Sequence, residues 1–375
     1  MKDEAGHLLM HKNVAVGLRK IARKVMAGDR ITADDAMKLY SGADLGWLGM
    51  LASVVRRRFN GEYVYFNRNF HIEPTNICTN TCRFCSFRRR KEQNDAWELN
   101  MEDVKTIAAS YRNKNVTEVH IVGGVHPDRD VHYYADMVRE VKKVLPHVHV
   151  KAFTAVEIDC MAKKAGVTVE EGFRILRVAG LDSMPGGGAE IFDEALRAKI
   201  CPDKTSSDMW LTIHEKAHQT GIPTNCTMLY GLFEEYEHRI DHMNRLRELQ
   251  DRTGGFNVFI PLKFRHGNNA FSHVKESSLI EDLKTFAIAR IFLDNIPHLK
   301  AYWPMLGKET AQLSLAFGVD DLDGTIDDST KIYSMAGSDE QNPIATTDEL
   351  VELIRESGFV PVERDTLFRI LKKYD

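Results

Sequence analysis

The sequence has few features that would set it apart from an ordinary globular protein. No apolar run approaches the ~18 residues that a membrane-spanning helix needs, and the opening MKDEAGH lacks the charged-then-apolar pattern of a secretory signal. Neither sign of charge dominates, because 50 basic and 54 acidic residues leave a net charge of −4. Bulk charge therefore gives no reason to expect a nucleic-acid or membrane partner, and the protein is predicted to be cytoplasmic.

Glycine and proline are also scarce, at 25 and 11 of 375 residues, which excludes a collagen-like or linker-dominated architecture. Hydrophobic residues make up 43% of the chain, enough for a sizeable core. The length allows two or three domains, or a single large barrel.

Cysteine is sparse, with six residues in the chain. A disulfide framework would be denser and would occur in a shorter, secreted chain. Three of the six fall within eight residues and need an explanation of their own: Cys78, Cys82 and Cys85. The other three are scattered and are interpreted as small buried hydrophobic residues: Cys160, Cys201 and Cys226.

Short β-rich runs alternate with helical segments after residue 62. The predicted strands are 64–73, 118–123, 147–154, 177–183, 222–229, 256–262, 298–303 and 317–322. Eight strands separated by helices indicate an α/β fold in which a parallel sheet closes into a (β/α)8 TIM-type barrel. We expect an N-terminal helical extension (1–62), the barrel (63–330) and a C-terminal helical extension packed on the barrel (331–375). An open doubly wound sheet is the alternative, although no Gly-x-Gly-x-x-Gly follows the first strand.

The cysteine cluster lies on the loop after the first predicted strand, where such barrels carry their chemistry. Its spacing is Cys78-x3-Cys82-x2-Cys85. Soft sulfur ligands so close together select zinc, copper(I) or an iron–sulfur cluster. Structural zinc and electron-carrying clusters normally take four protein ligands, so three thiolates favour a 4Fe-4S cluster with one iron open to another ligand. A zinc-stabilised binding protein and a non-catalytic electron carrier remain alternatives.

This motif, with Phe84 just before the last cysteine, resembles the signature of the radical S-adenosylmethionine (SAM) superfamily. The resemblance implies a 4Fe-4S cluster held by the three cysteines, with SAM bound to the fourth iron through its amino and carboxylate groups. It also implies that SAM is cleaved to methionine and a 5′-deoxyadenosyl radical, with an electron from a flavodoxin- or ferredoxin-type reductant.

Loops after later strands supply further candidate residues. In this superfamily a glycine pair meets the SAM amino group, and Gly123 and Gly124 resemble that pair. His126 is a candidate for proton transfer, although a merely hydrogen-bonded loop histidine fits equally well. Glu157, after the third strand, is a candidate for the ribose hydroxyls or the amine of SAM, although a solvent-exposed loop glutamate fits equally well. Glu190 follows a run of three glycines and is assigned to the same cofactor site.

Longer stretches resemble one branch of the superfamily, which contains menaquinone-pathway enzymes and a deazaflavin-cofactor synthase. They are 65–78, 185–192, 200–204, 227–231 and 320–325. They are most similar to members that add the 5′-deoxyadenosyl radical to 3-[(1-carboxyvinyl)oxy]benzoate, so SAM would be a co-substrate. Cyclisation of dehypoxanthine futalosine and deazaflavin-cofactor synthesis are the alternatives. One departure is Leu232, where relatives often carry histidine.

The implied substrate is an aromatic dicarboxylate, so cationic side chains are expected at the barrel mouth. Arg265, as a catalytic residue, and Arg177 are the candidates, because arginine pairs bidentately with carboxylates. The basic run 88–91 is interpreted as a solvated turn, with a docking patch for an acidic reductase as the alternative. The acidic run 320–327 lacks the register of a calcium loop and is expected to be a turn with carboxylates facing the mouth.

Overall fold

The structure, a computed structural model, describes residues 2–324, 330–338 and 343–374. Its helices are Lys2–Leu9 (α1), Val16–Ala27 (α2), Ala33–Gly42 (α3), Leu45–Asn60 (α4), Met101–Ser110 (α5), Val131–Val144 (α6), Ala155–Ala165 (α7), Val169–Ala179 (α8), Glu194–Ile200 (α9), Ser207–Gln219 (α10), Tyr236–Thr253 (α11), Leu279–Phe292 (α12), Trp303–Leu306 (α13), Lys308–Ser314 (α14), Ile332–Met335 (α15) and Thr347–Glu356 (α16). Its strands are Tyr63–Phe66 (β1), Asn69–Ile72 (β2), Glu118–Ile121 (β3), His149–Ala152 (β4), Thr224–Tyr230 (β5), Phe256–Lys263 (β6), His298–Ala301 (β7), Asp321–Leu322 (β8), Val360–Arg364 (β9) and Ile370–Lys373 (β10). Across these residues, no helix is both long and apolar enough to cross a membrane.

Eight parallel strand positions close into a barrel, as the sequence predicts. β1 and β2 are the two halves of the first strand, β2 pairs with β3, and β3 pairs with β4. β5, β6, β7 and β8 follow in order, and β8 pairs back onto β1. Gly324 lets the closing strand pass the first one, because a Cβ atom there would lie 1.2 Å from the carbonyl oxygen of Asn67. The rest of the acidic run, 325–327, lies outside the described residues.

The fourth strand position is shorter than predicted. A strand is expected over 177–183, but α8 continues to Ala179 because Phe173, Leu176 and Ala179 are buried at helical spacing. Gly180, with a φ of 113°, then ends the helix in the left-handed region. What remains of the strand is a pair of parallel bridges, from residue 183 to residue 151 and from residue 184 to residue 224.

This difference also moves Arg177 away from the barrel mouth. It lies in the last turn of α8, which runs back toward the amino ends of the strands. The side chain is exposed and donates a hydrogen bond to the carbonyl oxygen of Thr220. The expectation that Arg177 meets a substrate carboxylate is therefore wrong.

Four helices precede the barrel, in the region that the sequence analysis predicts to be an N-terminal helical extension. Asp44 caps the start of α4, where its carboxylate accepts from the N–H of Trp47 at 2.8 Å. The helix ends at Gly61 and packs against α12, while α3 packs against α11. The extension therefore covers helices on the outside of the barrel. The domain boundaries themselves stay predictions.

The C-terminal segment differs from the helical extension that the sequence predicts. α15 and α16 are helical, but β9 and β10 follow them. β9 pairs in parallel with β1, and β10 pairs antiparallel with β9. Residues 361–364 are all buried, with Val362 and Arg364 at 0% and 1% exposed, so burial on both faces holds β9 in place. Pro361 lies within β9, although a proline cannot donate a hydrogen bond to a ladder.

Charged side chains fill the part of the barrel interior next to β9. The ion pairs are Lys151–Glu118 at 2.7 Å, Lys300–Asp323 at 3.1 Å and Arg364–Asp321 at 2.7 Å. Burial alone would raise the pKa of Glu118, but Lys151 and Lys300 hold that pKa well below its ordinary value. Asp321 is fully buried, so the expectation that the carboxylates of this run face the mouth is wrong for it.

Candidate active site

A cavity of about 320 Å³ lies at the carboxyl ends of the barrel strands and continues into the barrel interior. Most of the predicted site residues line it: Cys78, Cys82, Cys85, Gly123, Gly124, Glu157, Glu190 and Arg265. Aromatic and aliphatic side chains form much of its wall: Phe84, Phe87, Ile260, Leu262, Phe264 and Tyr333. Residues from several loops that are distant in sequence therefore meet around one space.

Backbone hydrogen bonds hold the cysteine loop against the loop after β3. The N–H of Thr79 donates to the carbonyl oxygen of Val125 at 2.9 Å, and the N–H of Val125 donates to Sγ of Cys78 at 3.3 Å. The N–H of Cys85 donates to the carbonyl oxygen of Cys82 at 3.2 Å. Burial raises the pKa of the Cys78 and Cys82 thiols. Metal binding at these thiols would therefore release protons.

The chemistry of these donors fits an iron–sulfur cluster. All three thiols line the same cavity, and an N–H group already points at one sulfur, a contact that tunes such clusters. In the part of the chain that the structure describes, no three His, Cys, Asp or Glu side chains are close enough to hold one metal ion. In a cluster each thiolate binds a different iron, so its ligands do not need to converge on one point.

Gly123 and Gly124 lie where the loop after β3 crosses the cysteine loop. A Cβ atom on Gly124 would lie 2.3 Å from the carbonyl oxygen of Ile77, and one on Gly123 would lie 2.8 Å from that of Thr75. A side chain at either position would push the two loops apart. The glycines therefore have a packing role, and the SAM contact that the resemblance implies for them stays a prediction.

Glu157 joins the loop after β4 to this glycine pair. One carboxylate oxygen accepts from the N–H and the hydroxyl of Thr154 at 2.7 and 2.8 Å, which completes a capping box at the start of α7. The other oxygen accepts from the N–H of Gly123 at 3.1 Å. Burial raises the pKa of Glu157 to about 7. Its predicted contact with SAM would be additional to these hydrogen bonds.

The raised pKa of Glu157 predicts a loss of stability with rising pH. The folded state keeps this proton up to about pH 7, whereas the unfolded chain releases it near the ordinary value of 4.5. The folded state binds more protons between these values, so the free energy of unfolding falls as the pH rises through them. Between about pH 5 and about pH 8, urea unfolding should show the wild type losing on the order of 1–3 kcal/mol more than Glu157→Gln.

Glu349→Gln is the matched control for this experiment. Glu349 holds the same capping-box position in α16, where the N–H and hydroxyl of Thr346 lower its pKa. Glu349 is ionised in the folded and the unfolded state between about pH 5 and about pH 8. Its replacement should therefore leave the pH dependence of the free energy of unfolding close to that of the wild type. Equal pH dependence in the wild type and Glu157→Gln would contradict a buried proton on Glu157.

Lys204 is a cavity residue that the sequence analysis did not single out. Its ammonium group lies 2.5 Å from the carboxylate of Glu190, and its nitrogen is 5.7 Å from the ring centre of Phe84. Burial opposes its charge, but Cys82 and Glu190 raise the pKa of Lys204 above its ordinary value. The stretch 200–204 was noticed only for its resemblance to relatives, because the carboxylate that pairs with this lysine is close in space and not in sequence.

His126 and Leu232 are not among the residues that line the cavity. Nδ1 of His126 accepts from the N–H of Asp128 at 3.1 Å, and Nε2 lies 3.3 Å from the carboxylate of Glu98. Burial lowers the pKa of His126. These contacts match the hydrogen-bonded loop histidine that the sequence left open, and they do not favour the predicted proton-transfer role. Leu232, at the position where relatives often carry histidine, therefore forms no part of the cavity wall.

Comparison with known proteins gives a consistent result over most of the chain. Two family models match it: the radical SAM superfamily over residues 72–246 and the CofH/MqnC C-terminal region over residues 253–374. An aminodeoxyfutalosine synthase from Streptomyces coelicolor is 43% identical over 367 residues, which cover 95% of each chain. Another, from Thermus thermophilus, is 45% identical over 359 residues, which cover 95% of this chain and 96% of the relative. A cyclic dehypoxanthine futalosine synthase from Streptomyces coelicolor is 38% identical over 364 residues, which cover 96% of this chain and 90% of the relative.

Solved structures match the barrel as well. The crystal structure of methylornithine synthase superposes with a TM-score of 0.74, covering 91% of this chain and 97% of that chain. The sequence identity is 19%, so this likeness concerns the fold alone.

Proposed function

Since the chain belongs to the radical SAM superfamily, we propose that it is an aminodeoxyfutalosine synthase of menaquinone biosynthesis. In this reaction the 5′-deoxyadenosyl group of SAM is joined to the vinyl carbon of 3-[(1-carboxyvinyl)oxy]benzoate, and methionine and one carboxylate are released. The observation that carries the proposal is the likeness to relatives of this activity along nearly the whole chain, at higher identity than the cyclase. Membership of this family makes the chain an enzyme, so the zinc-stabilised binding protein and the electron carrier are not retained.

Cys78, Cys82 and Cys85 would hold a 4Fe-4S cluster at the edge of the cavity. When bound, the cluster supplies the electron that cleaves SAM into methionine and a 5′-deoxyadenosyl radical. A flavodoxin- or ferredoxin-type protein would deliver that electron from outside. The chain itself holds the start of the cysteine loop through the hydrogen bonds of Thr79 and Cys78 to Val125, which supports this role for the loop.

The cavity wall suits a reactive carbon radical and an aromatic substrate. Phe84, Ile260, Leu262 and Phe264 present apolar surface, which excludes water and packs against an aromatic ring. A primary carbon radical abstracts hydrogen from neighbouring C–H bonds. The wall must therefore hold the vinyl carbon of the substrate closer to the radical than its own C–H groups are.

The fate of the adenosyl carbon tests this proposal. Most radical SAM enzymes abstract hydrogen, so that 5′-deoxyadenosine accumulates. Here SAM labelled at the adenosyl 5′-carbon, incubated anaerobically with the reconstituted enzyme, dithionite and the enolpyruvyl benzoate, should give a labelled nucleoside–benzoate adduct that lacks one carboxylate. Mass spectrometry of the products measures the result, and free 5′-deoxyadenosine should be a minor product of uncoupled turnover.

Two further incubations separate this activity from the activities of related enzymes in the same branch. Omission of the enolpyruvyl benzoate should remove the adduct and leave only slow release of 5′-deoxyadenosine. Labelled 5′-deoxyadenosine in stoichiometric amounts, with the aromatic substrate intact, would rule the proposal out. Incubation with dehypoxanthine futalosine would then test the cyclase activity.

A further inference from the structure

Among the residues that the structure describes, six lysine and arginine side chains line the cavity, and five of them already face a carboxylate. The five pairs are Lys151–Glu118 at 2.7 Å, Lys204–Glu190 at 2.5 Å, Lys263–Asp282 at 2.8 Å, Arg265–Glu276 at 3.1 Å and Lys300–Asp323 at 3.1 Å. A cation that turned to an incoming anion would leave its own partner carboxylate unpaired in a buried place, which is costly. These five residues are therefore poor candidates to neutralise a substrate.

Arg88 is the sixth of these residues. Within 2–324, 330–338 and 343–374, its guanidinium has no hydrogen-bond acceptor and no carboxylate at ion-pair distance, although the side chain is half-buried and lines the cavity. A guanidinium in this position is partly desolvated without compensation, so an anion that enters the cavity gains a strong partner.

The backbone on both sides of Arg88 is held in place. Phe87 is 5% exposed and packs edge-on against Trp97, with ring centres 5.1 Å apart. Arg89 pairs with Ile77 in a parallel bridge, and its N–H donates to the carbonyl oxygen of Asn76 at 2.7 Å. The backbone at Arg88 therefore starts from a fixed position, so the conformational entropy lost on binding a ligand is mainly that of its side chain.

We propose that Arg88 binds one carboxylate of the aromatic substrate and so positions it in the cavity. The inference rests on the proposed function, because that function supplies a dicarboxylate ligand with an aromatic ring. The ring would lie against the apolar wall near Phe84 and Phe264, and the planar guanidinium offers two parallel N–H donors to a carboxylate. The carboxylate of SAM is the other anion at this site, so the test separates the two.

Equilibrium binding to the reconstituted but unreduced enzyme tests the proposal without turnover. Calorimetry should show that Arg88→Gln raises the Kd of the enolpyruvyl benzoate by about 10- to 100-fold, while the Kd of SAM stays at the wild-type value. Arg88→Lys should recover part of the affinity, because it keeps the charge and loses the bidentate geometry. Lys91→Gln is the matched control, since it removes the same charge three residues away on an exposed side chain that does not line the cavity.

Two analogues identify the carboxylate that Arg88 binds. One is 2-phenoxyacrylate, which lacks the ring carboxylate, and the other is 3-vinyloxybenzoate, which lacks the enol carboxylate. Arg88→Gln should weaken binding of only one of them, namely the analogue that keeps the carboxylate held by Arg88.

Several results would overturn the inference. One is that Arg88→Gln binds the substrate with wild-type affinity, and another is that Lys91→Gln loses as much substrate affinity as Arg88→Gln. The others are that Arg88→Gln loses affinity for SAM alone, or that it loses affinity equally for both analogues. In each case a wild-type enzyme that still forms the nucleoside–benzoate adduct would leave the proposed function standing. Failure of the wild type to bind the enolpyruvyl benzoate would overturn both the role of Arg88 and the proposed function.

Discussion

Alanine in place of Cys78, Cys82 or Cys85 is expected to abolish SAM cleavage while the barrel stays folded. The three thiols are the only protein ligands proposed for the cluster, so the loss of one should prevent stable assembly. The cysteine loop lies at the carboxyl end of the barrel, and removal of one sulfur atom there should cost on the order of 1 kcal/mol of stability. Iron and sulfide content and the yield of methionine measure the first effect, and circular dichroism with thermal unfolding measures the second.

The remaining cysteines are the controls, and Cys201 provides the most stringent control. It is 2% exposed and close enough to Cys82 for its charge to raise the pKa of that thiol. Serine at Cys160, Cys201 or Cys226 should leave iron content per folded molecule near that of the wild type. A requirement for Cys201 would mean that four cysteines hold the cluster and that no iron is open to SAM.

Arg364→Ala is expected to lower the free energy of unfolding by about 3 kcal/mol, because it leaves a buried carboxylate with one partner fewer. Nε and Nη2 of Arg364 donate to the two carboxylate oxygens of Asp321 at 2.8 and 2.7 Å, and neither residue is more than 1% exposed. Lys300, 3.3 Å from the same carboxylate, would remain as its partner. Urea unfolding of the metal-free protein at neutral pH measures the difference.

Arg369→Ala is the matched control for Arg364→Ala. Its guanidinium pairs with Asp365 in the same C-terminal segment, but the side chain is 76% exposed, so the expected loss is about 0–1 kcal/mol. Addition of Asp321→Asn to Arg364→Ala should restore part of the stability, because it removes the charge that was left behind. Equal losses for the two arginine variants would mean that the buried pair does not secure β9.

The barrel and the cysteine loop could be predicted because both are encoded in short stretches of sequence. The three cysteines are eight residues from first to last, and helix starts carry local signals such as Asn100, whose side chain accepts from the N–H groups of Glu102 and Asp103. Local sequence also explains why the prediction of the fourth strand was wrong. Val178 extends an apolar run but is 84% exposed, and the helix continues until Gly180.

The partners of the charged side chains at the site could not be predicted from short stretches of sequence. Arg88, Arg89 and Arg90 look alike in the sequence, and the run was interpreted as a solvated turn. In the structure Arg89 pairs with Asp95 at 2.6 Å, and Arg90 donates to backbone carbonyl oxygens of the cysteine loop. Only Arg88 of these three lines the cavity, a position that the interpretation as a solvated turn did not predict. Which arginine has a partner depends on distances that the fold sets.

The pairing of β9 with β1 has a consequence for how the chain folds. The two strands are separated by most of the sequence, so the contact closes a very long loop and is formed against a large entropy cost. During synthesis β1 is made long before β9. Until β9 arrives, one edge of β1 stays open to other strands and Asp321 lacks its arginine. We therefore expect the nascent chain to depend on β9, and chains that are stalled or truncated before it to aggregate although every residue of the cavity is already present.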